Sequence, residues 1–415
     1  MQMEILNKNN YHLLGIGGIG ISAIAKMLQM QGKKVTGSDA SQSEITDELE
    51  KSGVKVFIGQ KAENIPNDTE VVIYTVAITD DNPELKEARN KNIVCKTYPE
   101  ALGELSKHMF TIAISGTHGK TTTTAMIGHI LEKAMVDPTI IVGSKMMGED
   151  GKYSNFHAGK SKYLVVEACE YKRSFLNLSP KILVITNIEA DHLDYYKDLD
   201  DIKSAFEELE EKVPADGFVI TENEYREISD EDIKLLVPGK HNISNAKAAI
   251  KAVEKVGVSS SDAKRFLADF KGTWRRQEYR GEKDGNIFYD DYAHHPTEIR
   301  ATLSALKEKH PDRKLVAVFE PHQELRTKLL FDHFVESLKI ADQVFIAPIY
   351  INKEKSDGSV TNQTLADAIN KQTPASAVDN PEELMGKITP LNSNLCIAML
   401  GAGNIYKWTK EILSD

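Results

Sequence analysis

The chain is predicted to be an α/β protein of three domains built on parallel sheets, and three observations predict it. Its 415 residues exceed what one ordinary core holds, since domains run to about 100–200 residues. Short apolar runs alternate with helix-patterned stretches, the signature of repeated βαβ units. A glycine-rich turn that follows a strand and opens a helix occurs twice, at Gly15-Ile16-Gly17-Gly18-Ile19-Gly20 and at Gly116-Thr117-His118-Gly119-Lys120-Thr121-Thr122. Together these give an N-terminal Rossmann-like domain, a central P-loop ATPase-like domain on a parallel sheet, and a C-terminal Rossmann-like domain.

From Tyr11 to Tyr74 the apolar runs are His12 to Gly15, Val35 to Gly37, Val54 to Ile58 and Val71 to Tyr74. A polar helix-like segment, Pro99 to Lys107, leads into a second unit at Phe110, whose further strands include Tyr163 to Glu167 and Ile182 to Thr186. After a last helix to Phe270 the pattern restarts with Ile287 to Asp291, Leu315 to Phe319, Gln343 to Ala347 and Cys396 to Leu400. The predicted domains are therefore 1–106, 107–270 and 271–415. No short-period repeat or low-complexity segment interrupts them.

Composition excludes several classes. With 41% hydrophobic and 27% charged residues the chain is globular, and no apolar stretch approaches the ~18 residues of a membrane span. The first residues lack a basic segment followed by an apolar one, which predicts a cytosolic protein. Cys95, Cys169 and Cys396 are too far apart for a metal cluster or disulfide framework, so core or surface thiols are predicted. A net charge of −11 argues against nucleic acid as a partner. An anionic ligand must then be met by local cations.

The second glycine turn follows the strand Phe110 to Ile114 and opens the helix Thr121 to Lys133. Backbone N–H groups there can approach phosphates, Lys120 can meet the terminal phosphates, and the Thr121 hydroxyl can hold Mg²⁺. Only Thr117 and His118 separate the two glycines, a shorter loop than the common one, and ATP or GTP is the ligand it fits. The first turn, with Asp39 lying 19 residues beyond Gly20, satisfies the dinucleotide fingerprint when taken alone. Physically it says only that a diphosphate can sit at a helix N-terminus with a carboxylate available for a ribose or base. An NAD-dependent oxidoreductase would leave the second loop unexplained; an enzyme using ATP and a nucleotide-diphosphate sugar needs both.

Other constellations stand at strand ends, where parallel sheets bind ligands. Glu167-Ala168-Cys169-Glu170 ends one strand, and Thr186 to His192 follows another. A carboxylate and an imidazole facing Thr121 would supply the few protein ligands that phosphate-bound Mg²⁺ needs. Asn242 and Asn245, at i and i+3, share one face of a helix. They could read an adenine edge or cap the helix. Arg275 and Arg276 lie in a hinge-like region, where a guanidinium could reach a phosphate. Asp290-Asp291-Tyr292-Ala293-His294-His295 precedes a helix begun at Pro296; adjacent acids and adjacent histidines point apart, which argues against a transition metal there.

With these residues in hand, the chain resembles the Mur ligase family over nearly its whole length. The motifs carrying the resemblance are Gly15 to Gly20, Gly116 to Thr124, Glu167 to Leu176, Thr186 to Asp194, Gly239 to Asn245, Arg275-Arg276, Asp290 to Glu298, Pro321-His322 with Arg326-Thr327, and Gly401 to Ile405. The resemblance implies ATP-dependent joining of L-alanine to the lactyl carboxylate of UDP-N-acetylmuramate through an acyl phosphate. The three domains would hold the UDP sugar, ATP with Mg²⁺, and the amino acid, with the chemistry at their junction. It implies that Gly15, Gly17, Gly18, Gly20 and Asp39 bind the sugar nucleotide, that Gly116, Thr117, His118, Gly119, Lys120, Thr121 and Thr122 bind the ATP phosphates, and that Thr121, Glu167 and His192 serve Mg²⁺. Asn242, Asn245, Arg276 and Asp291 match positions around the nucleotide, the last on its ribose. Tyr292, His294 and Arg326 match the amino-acid side of the reacting centre, with Lys120, His192, His294 and Arg326 as the catalytic set. The protein would be a monomer or homodimer.

Some residues depart from the family pattern. Little more than 20 residues separate Gly217 from Gly239, where relatives often carry a longer meander of strands. Glu320 replaces a common glutamine before Pro321-His322, and Gln323-Glu324 replace the usual residues before the arginine. Competing readings are a ligase that attaches a whole murein tripeptide to the same sugar, the NAD-dependent oxidoreductase, and a catalytically silent sugar-nucleotide sensor.

Overall fold

Three sheets organise the chain, and their strand orders decide which loops meet. The structure is a computed structural model that describes residues 5, 7–148, 151–192, 195–351, 358–391 and 394–414. Leu193 and Asp194 of the Thr186 to Asp194 motif lie outside the described residues.

The first sheet comprises β1 (Asn10–Leu14), β2 (Lys34–Asp39), β3 (Lys55–Ile58), β4 (Val71–Tyr74) and β5 (Val94–Thr97), all parallel in the order β3-β2-β1-β4-β5. The chain leaves β1 in one direction and returns on its other side at β4, so the Gly15 turn sits at the topological switch point. Beneath this sheet lies a polar knot whose centre, Glu84 with His12 and Ser38, is fully buried. Glu84 accepts hydrogen bonds from the Ser38 hydroxyl at 2.5 Å, the Asn64 amide at 2.6 Å and the Lys61 N–H at 3.1 Å, and meets His12 Nε2 at 3.3 Å. Burial opposes its ionisation, yet these partners hold the Glu84 carboxyl below its usual range.

The second sheet comprises β6 (Phe110–Ser115), β7 (Thr139–Met147), β8 (Tyr153–His157), β9 (Tyr163–Glu167), β10 (Ile182–Ile185) and β11 (Phe218–Ile220), in the order β11-β10-β6-β9-β7-β8. Central β6 is apolar and almost wholly buried, as a strand covered on both faces must be. Its neighbours β9 and β10 end in Glu167 and just before Thr186, which brings both motifs alongside the loop after β6. The expected parallel sheet carries an antiparallel edge, β8 against β7. The polar sequence Tyr-Ser-Asn-Phe-His hides that strand, as edge strands commonly do. Among the described residues no strand lies between β11 and the helix Lys240–Glu254.

The third sheet comprises β12 (Glu278–Lys283), β13 (Asn286–Asp291), β14 (Lys314–Phe319), β15 (Gln343–Ile346), β16 (Ala375–Ala377) and β17 (Leu395–Leu400), in the order β12-β13-β17-β14-β15-β16. β12 is an antiparallel edge, and the remainder is parallel. The residues following β13, β17 and β14 therefore emerge together.

The chain divides into two compact units, Met1–Lys234 with Ser244–Phe270, and Leu235–Ile243 with Lys271–Asp415. The first unit holds two sheets, joined by a polar staple. Asn155 of β8, 1% exposed, donates to the Ser22 hydroxyl at 2.8 Å and to the Ile19 carbonyl, and accepts from Lys26 at 2.9 Å. Lys145 of β7 pairs with Glu48 at 2.6 Å, and Lys26 shares that carboxylate at 3.4 Å. All three free cysteines stand apart, Cys95 part-buried, Cys169 exposed and Cys396 buried. Among the described residues no helix is long and apolar enough to cross a membrane.

Candidate active site

In the first unit, the turn after β6 has the backbone of an anion cradle. Gly116 at φ 130° and Gly119 at φ 84° occupy the left-handed region. A Cβ on Gly116 would overlap the Thr186 hydroxyl, and one on Gly119 would overlap the Asn245 side-chain oxygen. Neighbouring strands pin the loop: Asn187 accepts the His118 N–H at 2.9 Å through its side chain and the Thr117 N–H at 2.9 Å through its carbonyl. The helix Lys120–Lys133 starts without a side-chain cap, so its first N–H groups are disposed for an anion.

Two acidic side chains serve this loop. Thr121 donates its hydroxyl to Glu167 Oε2 at 2.9 Å, and the Gly143 N–H donates to the same oxygen at 2.8 Å. A Cβ on Gly143 would stand 2.6 Å from either Glu167 oxygen, so that glycine makes room for the carboxylate. Lys120 folds back onto the Gly116 and Thr117 carbonyls at 2.5 and 3.0 Å and pairs with Glu170 at 3.0 Å. Glu170, 3% exposed, also meets His192 Nε2 at 3.5 Å. Burial disfavours its charge, but Lys120 and His192 hold its carboxyl below the usual range.

The site prediction names Thr121, Glu167 and His192 for a metal. The structure unites Thr121 with Glu167 and sets His192 on Glu170, with the ring of Tyr171 centred 4.8 Å away. Among the described residues no group of three or more His, Cys, Asp or Glu side chains forms a metal cluster. A hydroxyl and a carboxylate are nevertheless the hard oxygen donors that phosphate-bound Mg²⁺ takes, few in number because phosphates and water fill the other positions. Glu170 is the residue that sequence reasoning passed over; its signal was its place in the run Glu167 to Glu170.

At the first glycine turn, Gly15 has φ 74°, and a Cβ there would overlap Thr75, just after β4. Gly18 precedes the helix Ile19–Met30, which likewise starts without a side-chain cap. Asp39 accepts the Gly17 N–H at 2.9 Å, so one of its oxygens braces the loop.

In the second unit the predicted residues form a connected row. The Tyr292 ring lies between the Arg275 and Arg276 guanidiniums, at 5.0 and 5.2 Å, and 5.4 Å from the His294 ring. His294 Nδ1 is 3.3 Å from Glu298 Oε2, and Arg276 pairs with the same carboxylate at 3.6 Å. His322 follows, 6.1 Å from His294, stacked on Tyr350 at 5.4 Å and 14°, with Arg326 Nη1 at 3.4 Å from its Nδ1. Burial, then His294, Arg326 and Arg275, push His322 down to about 4. His241 is pushed down to about 4 by burial and Arg276.

Three predicted residues are held by the protein itself. Asp291, 5% exposed, accepts from the Gln277 N–H at 3.0 Å, the Thr302 hydroxyl at 2.9 Å and the Ala293 N–H at 2.8 Å. Asn242 donates to the Pro238 carbonyl at 2.7 Å and to Gln277 at 3.4 Å. Asn245 sits against Gly119, and the two asparagines belong to different compact units. Glu320 accepts the Asn404 and Ile405 N–H groups at 3.2 and 3.3 Å. It thereby joins the end of β14 to the turn after β17, where Gly403 leaves no room for a Cβ against its carboxylate.

Comparison with known proteins agrees along the whole chain. Residues 10–109 match the Mur ligase family catalytic domain, residues 114–232 the Mur ligase middle domain, and residues 275–403 the Mur ligase glutamate ligase domain. The chain is 40% identical to UDP-N-acetylmuramate–L-alanine ligase of Clostridium acetobutylicum, over 97% of each chain. It is 40% identical to the ligase of the same name from Caldicellulosiruptor bescii, over 98% of each. Among solved structures, the UDP-N-acetylmuramate-alanine ligase of Thermotoga maritima matches with a TM-score of 0.83 at 28% identity, covering 98% of this chain and 99% of that one. A murein peptide ligase from Psychrobacter arcticus shares the fold, with a TM-score of 0.72 at 23% identity over 98% of each chain.

Proposed function

This chain belongs to the Mur ligase family, and from that premise we propose that it joins L-alanine to the lactyl carboxylate of UDP-N-acetylmuramate with hydrolysis of ATP to ADP and phosphate. The observation that carries the reading is the pairing, within one compact unit, of a diphosphate turn at Gly15 to Gly20 with a nucleotide loop whose Lys120 and Thr121 stand on Glu170 and Glu167.

A carboxylate at neutral pH is a poor electrophile and an ammonium is no nucleophile, so both partners need activation. A lactyl oxygen attacks the terminal phosphorus of ATP, the bond to ADP breaks, and an acyl phosphate forms. The loop N–H groups and Lys120 hold the transferring phosphoryl group, offsetting charge as it develops. Thr121, Glu167 and His192 would hold Mg²⁺ directly or through water, and the ion would draw charge from the phosphates. Alanine's neutral amine then attacks the acyl carbon, and the carbon–oxygen bond breaks to release phosphate. We assign Arg326 to the amino-acid carboxylate, a fork that suits two oxygens. His294, oriented by Glu298, is assigned the proton that the ammonium must lose, and Arg276 a phosphate.

The test is phosphate release from ATP and Mg²⁺ with UDP-N-acetylmuramate, comparing no acceptor, L-alanine, glycine, L-serine and a murein tripeptide. Release that needs both the sugar nucleotide and L-alanine is expected. Dependence on the tripeptide instead, or no release with any acceptor, would overturn the assignment.

A further inference from the structure

Tyr98 takes no part in the chemistry above, yet it stands against the first of the two glycine turns. It is the first residue of the helix Tyr98–Lys107. A capping box fixes it there: Glu100 accepts the Thr97 N–H at 2.7 Å, and the Thr97 hydroxyl accepts the Glu100 N–H at 3.3 Å. The ring packs against the core of the first unit but is not sealed within it.

Its upper face meets the diphosphate turn. A Cβ on Gly20 would stand 2.7 Å from Tyr98 Cζ and 2.8 Å from its hydroxyl oxygen. Gly20 has no positive φ to account for it, so the glycine is there for the room it leaves to this phenol. Burial raises the Tyr98 phenol, and the negative charge of Glu167 raises it further, so the hydroxyl keeps its proton and acts as a donor. That donor makes no hydrogen bond to any described residue. The residue is only part-buried. Here it is also pressed against a ligand-binding turn.

We propose that Tyr98 is a substrate-contact residue, whose hydroxyl donates a hydrogen bond to an acceptor oxygen of the sugar nucleotide as that ligand runs from the Gly15 to Gly20 turn toward Glu167 and Lys120. The inference rests on the sugar-nucleotide reading of that turn. The acceptor is a phosphate, sugar or lactyl oxygen, all of which take the same donor.

Tyr98→Phe removes only the hydroxyl and keeps the ring that packs under Gly20. Binding of UDP-N-acetylmuramate and of UDP to the full chain is measured by calorimetry, with the KM values for sugar nucleotide and ATP and the thermal midpoint. Affinity for UDP-N-acetylmuramate is expected to fall about five- to thirty-fold, as for loss of one good hydrogen bond. The KM for ATP and the midpoint should hold. An equal loss for UDP places the contact on the phosphate side; a loss confined to UDP-N-acetylmuramate places it on the sugar or lactyl side. Unchanged affinity, or a lowered midpoint with unchanged affinity, makes Tyr98 a packing residue and overturns the proposal alone. No sugar-nucleotide binding by the unaltered chain removes the ligand, and with it both readings.

Discussion

Replacing Glu170 by glutamine should weaken the ligand-free protein and increase the stabilisation it gains from ATP. Glu170 is 3% exposed and pairs with Lys120 at 3.0 Å. Removing one partner of a buried pair commonly costs about 3–5 kcal/mol, because the other charge is left uncompensated. Lys120 keeps the Gly116 and Thr117 carbonyls, so a cost at or just below that range, about 2–3 kcal/mol, is expected without nucleotide. In a unit of this size that lowers the thermal midpoint by about 4–12 °C. Bound phosphates would replace the missing charge beside Lys120, so most of the deficit should vanish in saturating ATP. Scanning calorimetry with and without ATP supplies both numbers. An equal deficit in the two conditions, or one below about 0.5 kcal/mol without nucleotide, would show that the lysine is not held by Glu170 in competition with phosphate.

Further outcomes follow from other residues. Lys120→Ala should reduce phosphate release by about 10²–10³-fold or more while calorimetry finds UDP-N-acetylmuramate binding nearly unchanged; weakened sugar binding with normal turnover would reverse the roles given to the two loops. His322 and His241 are both pushed down to about 4 from 6.5, so between those values the unfolded chain takes protons that the folded chain refuses. Stability should fall as pH drops from about 6.5 to 4, and His322→Gln should flatten that slope in urea titrations at pH 7, 5.5 and 4.5; an identical slope in the variant would contradict the sign. Glu84→Gln should destabilise the first unit by about 2–4 kcal/mol, since a buried carboxylate with several donors is lost. Chemical denaturation measures this, and a change under about 0.5 kcal/mol would mean that the knot under β1 and β2 carries no net stability.

Much of the fold was legible where burial writes itself into composition. The strands β6, β9, β10 and β17 are nearly continuous apolar runs, as strands covered on both faces are. The strands β8 and β12 were not legible, being polar edges. In the site, the glycines at 116 and 119 announce a phosphate cradle through the backbone conformations they permit. Sequence could not show that Asp291 has its oxygens engaged by Gln277, Thr302 and Ala293, because those donors lie 14, 11 and 2 residues away on separate elements. The i, i+3 spacing of Asn242 and Asn245 gave a shared helix face but not that their surroundings belong to different compact units. Glu170 was in view as part of a motif; its role emerged only when β9 and β6 were set side by side.

The staple of Asn155, Lys26, Glu48 and Lys145 fastens the helices of the first sheet to the β7–β8 edge of the second. The separation between the Gly15 to Gly20 turn and the Gly116 to Thr122 loop is therefore a property of the protein, set before any ligand arrives. A molecule that must reach from one to the other would have to match that spacing with its own anionic groups, so a shortened or lengthened analogue is expected to bind less tightly even when each end is chemically correct.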